Sequence, residues 1–378
     1  MRADAIDASI ACADKGSDAT KTCADTHRNL YVPGAPGCHC VPGVGIPPWM
    51  MVHPWSGGGE DAEPKVFVSA RADAVTVQLV DTDAGASMLQ LTNRSLETVA
   101  AYISASCAYG AGSLKFFGGD GEALQVGEAC VPLVGDCDNG KRESKRIDCI
   151  TFVATAPAQS VTQLAHADPR PFVSGEATIS LQTIPFETNG WGLFRAPPPE
   201  LCFAQFPLPA PGPYLCTQGC GGMLTHYFAQ SFHAFDFRCP VGTPLLAMAD
   251  GVITILSQEA TASGIHCDNL YRWNAIGLRT ERGITVMYVH IQPHSALVAL
   301  GDTVREGQPL CLSGNIGFSP EPHVHIEAHV AAQGAAKGHS VPLYLLANAS
   351  SPGEPLAPYI PEAGRYYGPH GVVSPPTV

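Results

Sequence analysis

Alternating apolar and polar positions predict short β-strands in the first half of the chain. In AVTVQLV, residues 74–80, Val75, Val77 and Leu79 alternate with polar neighbours, which is the period of a strand with one buried face. The runs ITFVATA, residues 150–156, and ATISLQTI, residues 177–184, are further strand candidates. Several short strands at this spacing predict an immunoglobulin-like β-sandwich.

Breaks in this pattern divide the chain. A Cys- and Pro-rich stretch precedes the strands, and a proline-rich stretch, APPPELCFAQFPLPAPGPY, follows them. Proline-rich sequence of this kind favours an extended linker. We therefore expect five segments, namely an N-terminal segment (1–56), the sandwich (57–190), the linker (191–213), a second β domain that carries the chemistry (214–349) and an irregular C-terminal tail (350–378).

Composition supports an all-β protein and excludes one class of partner. The 39 glycines and 33 prolines favour turns and short strands over long helices. The net charge of −13 argues against nucleic-acid binding, because a phosphate backbone requires clustered Lys and Arg. The basic run at residues 141–146, KRESKR, is interrupted by acid and is typical of a solvated loop. No apolar run is long enough to span a membrane.

Cysteine usage points to an oxidising compartment. The 14 cysteines fall into even groups, with four up to residue 40, four from 107 to 149 and six from 202 to 311. Such counts favour disulfides within segments. Because no signal peptide is visible, we expect a fragment or misannotated start of a secreted or periplasmic protein; mostly reduced cysteines are the alternative. A zinc knuckle built with His27 and His39 is a competing reading of the first segment.

Three histidine-bearing motifs carry the candidate chemistry. The first contains His226, His233 and Asp236, and the second is VMYVHIQP with His290. The third is an H-x-H motif in SGNIGFSPEPHVHIEAH, where His323 and His325 would share one face of a strand with Glu327 and His329 after them. One imidazole of such a pair can bind a metal ion while the other stays free beside it.

Together these motifs resemble the M23 family of zinc metallopeptidases, the lysostaphin and LytM-like endopeptidases. QGCGGMLTH resembles the family's Gln-Gly lead-in, and HAFDFRCPVGTPLLAMADGVI resembles its Asp-bearing strand. YVHI, GDTVREGQPL and SGNIGFSPEPHVHIEA match its Tyr-x-His segment, its Gly-Asp hairpin and its Pro-His-x-His-x-Glu strand. The resemblance covers about a third of the chain, from residue 214 to 331, and implies a LytM-like antiparallel β domain with a zinc groove.

The resemblance also implies the roles of five residues. One Zn²⁺ per chain would be held by His226, Asp236 and His325, which leaves a fourth position for water. His290 and His323 would be unligated and would act on that water and on the oxyanion. The implied substrate is a peptide bond in peptidoglycan cross-links or glycine-rich peptides. Glu327 is either a support for the histidines or an ordinary surface residue.

Alternatives remain open at this stage. The commonest family form places its first ligand four residues before the aspartate, where this chain has Phe232, so His233 competes with His226. Cys216 and Cys220 lie near His226 in sequence and would be zinc ligands as thiolates. Other functional readings are a catalytically inactive LytM-like binding or regulatory module and an extracellular adhesion protein. The oligomeric state is not predicted.

Overall fold

The computed structural model describes most of the chain beyond residue 64. The described ranges are 50–51, 65–81, 87–118, 121–133, 144–185, 202–222, 224–227, 229–330, 340–347 and 358–375. Residues 1–49, which include His27 and His39, lie outside them, as do residues 141–143 of the basic run and Cys137.

Within these ranges the protein is nearly all β, which confirms the predicted fold class. The only helical elements described are α1 (Arg170–Val173) and a 3₁₀ turn (Cys267–Asn269). The strands of the first part are β1 (Met50–Met51), β2 (Val66–Ala72), β3 (Val75–Asp81), β4 (Ser87–Asn93), β5 (Val99–Ala108), β6 (Phe116–Phe117), β7 (Gly127–Pro132), β8 (Ser144–Ala156), β9 (Ser160–Ala167) and β10 (Ala177–Pro185). The strands of the second part are β11 (Phe203–Ala204), β12 (Tyr214–Gln218), β13 (Phe235–Arg238), β14 (Pro244–Leu246), β15 (Gly251–Ser257), β16 (Ala275–Thr280), β17 (Ile284–Val289), β18 (Thr303–Val304), β19 (Pro309–Leu312), β20 (His323–Val330), β21 (Tyr344–Leu346), β22 (Pro358–Tyr359), β23 (Tyr366–Gly368) and β24 (Gly371–Val373).

Two five-stranded sheets form the first part. One has the order β1-β8-β5-β10, with β7 also paired to β8, and the other has the order β2-β3-β4-β9-β6. In β3, Val75, Val77 and Leu79 are buried, as their alternation predicts. They join β5 and β8 residues in one shared hydrophobic core, so the two sheets form a sandwich. Its immunoglobulin-like topology stays a prediction.

The second part is built on a nine-stranded sheet. Its order is β18-β15-β16-β17-β20-β13-β12-β23-β24, and a β14-β19 pair and a β11-β21-β22 sheet flank it. Its core contains Phe235, Phe237, Tyr288 and Ile326, all fully buried. The middle strands β17, β20 and β13 pair antiparallel, and this pairing brings the histidine motifs together.

Two segments pack more tightly than the sequence pattern indicates. Cys202, Phe206 and Leu208, within the predicted linker, are buried in the core of the second part. The predicted irregular tail holds strands β22 to β24, and Tyr359 stacks on Tyr367 with ring centroids 5.5 Å apart. Strands of two or three residues are too short to show a hydrophobic period, so the sequence pattern could not indicate that their aromatic side chains are buried.

The two parts share a buried interface. Strand β5 is buried on both faces for most of its length, because the second part covers the face that the other sheet leaves open. Cys130 and Ser263 exchange two backbone hydrogen bonds of 2.8 and 3.0 Å across this interface. Thr151 donates a hydrogen bond of 2.8 Å to the Ile265 carbonyl. The sandwich is therefore fixed against the domain that carries the histidines.

The cysteines of the described ranges do not form the predicted bridges. No disulfide joins any two of them. Burial raises the pKa of the Cys239 thiol to about 11 and that of Cys220 to about 12, so both remain protonated at neutral pH.

In the described part of the chain, neither helical element has the length and apolar character that crossing a membrane requires.

Candidate metal centre

Paired strands bring Asp236 and His325 face to face. Asp236 on β13 and His325 on β20 are register partners in an antiparallel pair, so their side chains share a face. The Asp236 Oδ1 atom lies 3.0 Å from His325 Nδ1. Phe235 and Phe237 point to the opposite face and are fully buried, which anchors β13 in the core.

His226 completes the group from a loop. It lies in the turn between β12 and β13, where its backbone N–H donates to the Gly222 carbonyl at 2.9 Å. Its Nε2 atom is 3.1 Å from His325 Nδ1 and 3.3 Å from Asp236 Oδ1. Its Nδ1 atom donates to the Gly219 carbonyl at 3.0 Å, and this bond directs Nε2 to the other two donors.

The three donor atoms have the spacing of a tetrahedral metal site. Donors about 2.0–2.1 Å from a tetrahedral ion stand about 3.3 Å from one another. The observed separations of 3.0, 3.1 and 3.3 Å agree with this geometry. All three residues are buried, and a buried carboxylate facing histidines is stabilised by a cation. Three protein ligands leave one position open, as in catalytic rather than structural sites.

Gln218 forms hydrogen bonds both to the Asp236 carboxylate and to the loop that carries His226. From the sequence alone, this glutamine is identified only as part of the lead-in motif. Its Nε2 donates to Asp236 Oδ2 at 2.9 Å and to Thr225 Oγ1 at 3.0 Å. Its Oε1 accepts the backbone N–H groups of Leu224 and Thr225, each at 3.1 Å. A Cβ at Gly222 would collide with the Gln218 side chain, so this glycine makes room for it.

Replacing Gln218 with alanine is expected to weaken metal binding about 10- to 100-fold, the usual cost of losing a partner that orients a metal ligand. Chelator competition on the purified protein would measure the dissociation constant. Gln258→Ala is the matched control, since that amide accepts a backbone N–H of Ala296 at 3.1 Å and takes no part in the donor group. Equal affinities of the two variants would contradict the assignment.

Glu327 supports His325 from the side opposite Asp236. Its Oε2 lies 3.1 Å from His325 Nε2, and its Oε1 lies 3.1 Å from His329 Nε2. This contact orients the His325 ring with Nδ1 in the donor triangle. Burial opposes the charged form of His325, but Asp236 and Glu327 raise its pKa to about 10 in the metal-free protein. Glu327 is therefore a structural partner of His325 and lies largely buried beside it.

His290 and His323 form a second pair beside the donor triangle. Their ring centroids lie 4.6 Å apart, and His323 Nε2 is 3.8 Å from Asp236 Oδ1. His290 Nδ1 donates to the Ile316 carbonyl, and His323 Nδ1 donates to the Glu321 carbonyl at 2.7 Å. Each Nε2 is thus left as an acceptor. His290 has a φ of 67°, a strained value for a residue with a Cβ, and it follows directly after β17.

Two pKa shifts describe the charge state of this cluster. Burial, and to a smaller extent the neighbouring His323 and His325, lowers the pKa of His290 well below its usual range, so that ring is neutral. Burial by itself would raise the pKa of Asp236, but His226 and His323 outweigh it, and the net pKa lies well below the ordinary value. The site thus combines an ionised carboxylate with a neutral histidine, which suits metal binding and proton acceptance.

The competing ligands lie elsewhere. His233 Nδ1 is 3.0 Å from the Ser340 carbonyl, and His233 is not in the donor group. The buried Cys216 thiol donates to the Gln218 carbonyl, and burial raises its pKa well above the ordinary value. Neither Cys216 nor Cys220 belongs to the group formed by His226, Asp236 and His325. The described geometry brings together all five residues that the family resemblance implies.

Comparison with known proteins identifies the family that the second part of the chain matches. Residues 231–338 match peptidase family M23. The chain carries an M23 peptidase domain. The matched range contains Asp236, His290, His323 and His325, while His226 lies just before it.

The M23 domain has curated relatives and structural neighbours. An uncharacterized metalloprotease of Haemophilus influenzae is 35% identical over 95 residues, 25% of this chain and 18% of that protein. The DD-carboxypeptidase/endopeptidase Mpg of Neisseria meningitidis is 33% identical over 98 residues, 26% of this chain and 20% of that protein. The catalytic domain of the antimicrobial peptidase lysostaphin from Staphylococcus simulans matches at 25% identity and a TM-score of 0.23, over 35% of this chain and 88% of that one. The chain thus spans about a fifth of the length of these two curated relatives.

Proposed function

We propose that this protein is a zinc metalloendopeptidase that hydrolyses peptide bonds in peptidoglycan cross-links or glycine-rich peptides. The observation that carries the proposal is the donor triangle of His226, Asp236 and His325 with two further histidines beside it. The mixed nitrogen and oxygen donors and the tetrahedral spacing suit Zn²⁺. The intact set of five residues favours an enzyme over an inactive binding module.

The chain's own residues supply binding and proton transfer. A zinc ion held by the triangle would supply a Lewis acid and a water of lowered pKa. The Nε2 atoms of His290 and His323 face the same cleft as accepting groups, since each Nδ1 is committed to a backbone carbonyl. One ring accepts a proton from the attacking water at its Nε2 atom and returns that proton to the leaving amine nitrogen; while it is protonated it stabilises the oxyanion, and the other ring orients the water as a hydrogen-bond acceptor.

The substrate class rests on the relatives and on the cleft. The relatives include the peptidoglycan DD-endopeptidase ShyC of Vibrio cholerae, 32% identical over 92 residues. The cleft of about 360 Å³ is lined by His290, His323 and His325 and by Tyr271, Trp273 and Phe318, which suits a short peptide segment. A peptidoglycan substrate would place the protein outside the cytoplasm, in a secreted or periplasmic setting. The net charge of −13 offers no long-range attraction to an anionic wall, so recognition depends on groove contacts.

The test is the zinc content of the purified protein beside a peptidoglycan-digestion assay. We expect about one zinc per chain and cleavage in the wild type, and loss of most of the zinc together with cleavage in His226→Ala. His233→Ala is the matched control, because this histidine is near in sequence but bonded to Ser340. Full retention of zinc in His226→Ala would reject the loop-borne ligand. Zinc without cleavage in the wild type would indicate a binding module on a peptidase fold.

A further inference from the structure

A tyrosine of the sandwich reaches into the ligand loop of the M23 domain. Tyr102 lies on β5 and is fully buried. Its hydroxyl donates a hydrogen bond of 2.9 Å to the Leu224 carbonyl and lies 2.6 Å from the Tyr227 hydroxyl. These two partners flank His226 in the chain. A residue more than 100 positions away in sequence therefore contacts the turn on both sides of a candidate metal ligand.

The directions of these hydrogen bonds follow from the proton count. The Tyr102 hydroxyl has one proton, which goes to the Leu224 carbonyl because a carbonyl can only accept. The Tyr227 hydroxyl must then donate to the Tyr102 oxygen. Burial, and to a smaller extent the neighbouring Tyr227, raises the pKa of Tyr102 well above its usual range, so the hydroxyl keeps its proton. The hydroxyl therefore ties the two flanks of His226 to a rigid strand.

The Tyr102 ring also contacts the loop that leads to His323. Tyr102 packs edge-on against Phe318, with ring centroids 5.4 Å apart. The next residue, Ser319, has its Oγ 3.1 Å from His323 Nδ1. Leu224 and Phe318 are both part of the sandwich core rather than the core of the M23 domain. The loops that carry His226 and precede His323 thus rest on the same surface of β5.

We propose that the β-sandwich is part of the peptidase site, with Tyr102 as a positioning residue that holds the His226 loop in its metal-binding conformation. The proposal rests on the proposed function and adds a residue from outside the M23 match, since residue 102 precedes the matched range of 231–338. When the loop that carries a metal ligand adopts its binding conformation only part of the time, the apparent dissociation constant for the metal rises in inverse proportion to that fraction. Removing the Tyr102 hydroxyl lowers that fraction.

A matched pair of variants on the same strand tests this role in the full chain. Tyr102→Phe keeps the ring contact with Phe318 and removes only the hydroxyl. Ser104→Ala removes another buried hydroxyl two residues away, which accepts the Cys267 N–H at 2.9 Å and lies 2.7 Å from Thr151 Oγ1. Both changes remove two buried hydrogen bonds, but those of Ser104 are made away from His226.

The primary measurement is the dissociation constant for Zn²⁺ by chelator competition, with the Co²⁺ absorption spectrum as a probe of ligand geometry. We expect Tyr102→Phe to bind zinc about tenfold more weakly and to change the Co²⁺ spectrum, and Ser104→Ala to match the wild type in both. Thermal melting of the metal-free proteins shows whether the two changes cost similar stability.

Each contrary result has a distinct meaning. Wild-type zinc affinity in Tyr102→Phe would overturn the positioning role and leave the proposed function standing. Absence of zinc binding by the wild type would overturn both. If Tyr102→Phe does not fold, Tyr227→Phe replaces it, because that change removes the donor to Tyr102. We expect it to weaken zinc binding about threefold, and an affinity equal to that of Ser104→Ala would overturn the role.

Discussion

Replacing Asp236 with asparagine is expected to abolish both zinc binding and peptide cleavage. Asp236 is the only anionic member of the donor triangle, and its Oδ1 lies 3.0 Å from His325 Nδ1 and 3.3 Å from His226 Nε2. Asparagine keeps the shape but removes the negative charge that a dication requires in a buried site. Zinc content and a peptidoglycan-digestion assay would show both losses, with cleavage falling to the level of the metal-free protein.

Asp250→Asn is the control for this change. Asp250 is an exposed carboxylate paired with Arg305 at 2.8 Å, so losing its charge costs little and leaves the site intact. We expect the control to keep its zinc and its activity. If Asp236→Asn kept a full complement of zinc, the oxygen ligand would have to be another residue, and the triangle would be misassigned.

Removing either unligated histidine is expected to reduce the turnover number about 10²- to 10⁴-fold while zinc stays bound, which is the usual contribution of a general acid–base group. The change is His290→Ala or His323→Ala. Neither residue belongs to the donor triangle, but their rings lie 4.6 Å apart beside it. Turnover at saturating substrate should fall, and metal analysis of the same preparation should still give about one zinc per chain.

His294→Ala provides the comparison for the two unligated histidines. His294 lies four residues after His290 and also has a positive φ, of 54°, but it is exposed and faces Glu259. Activity close to wild type is expected. Loss of zinc in His290→Ala or His323→Ala would instead make that residue a metal ligand and would contradict the division between ligands and proton-transfer groups.

The H-x-H motif shows how much of the site the sequence could predict. In a strand, alternate residues share a face, and β20 places His323, His325 and Glu327 on one side as that rule requires. For the H-x-H motif, the geometry of one element was enough. The choice of the loop-borne His226 over His233 needed the family resemblance, through its Gln-Gly lead-in, while a one-residue offset in a strand, which turns a side chain to the other face, counted only against His233.

Contacts between distant elements could not be predicted in this way. Gln218 bonds to Asp236, which lies 18 residues later, and Tyr102 bonds to the Leu224 carbonyl, which lies 122 residues later. The lead-in motif contains Gln218 but gives it no partner, and no local pattern separates Tyr102 from an ordinary buried tyrosine. Their positions depend on how β5 and β12 meet in three dimensions, and a single sequence does not carry that information in its periodicity.

The donor triangle has a consequence for the metal-free protein, since its members lie on two strands and one held turn. Asp236 and His325 lie on β13 and β20 in the middle of the nine-stranded sheet, where a strand opens only with the whole domain. His226 lies on a turn, and hydrogen bonds from that turn to Gln218 and Tyr102 hold it against β12 and β5. The fold itself therefore sets all three donors, and a metal ion would enter a preformed site instead of being required for folding, as it is in zinc fingers.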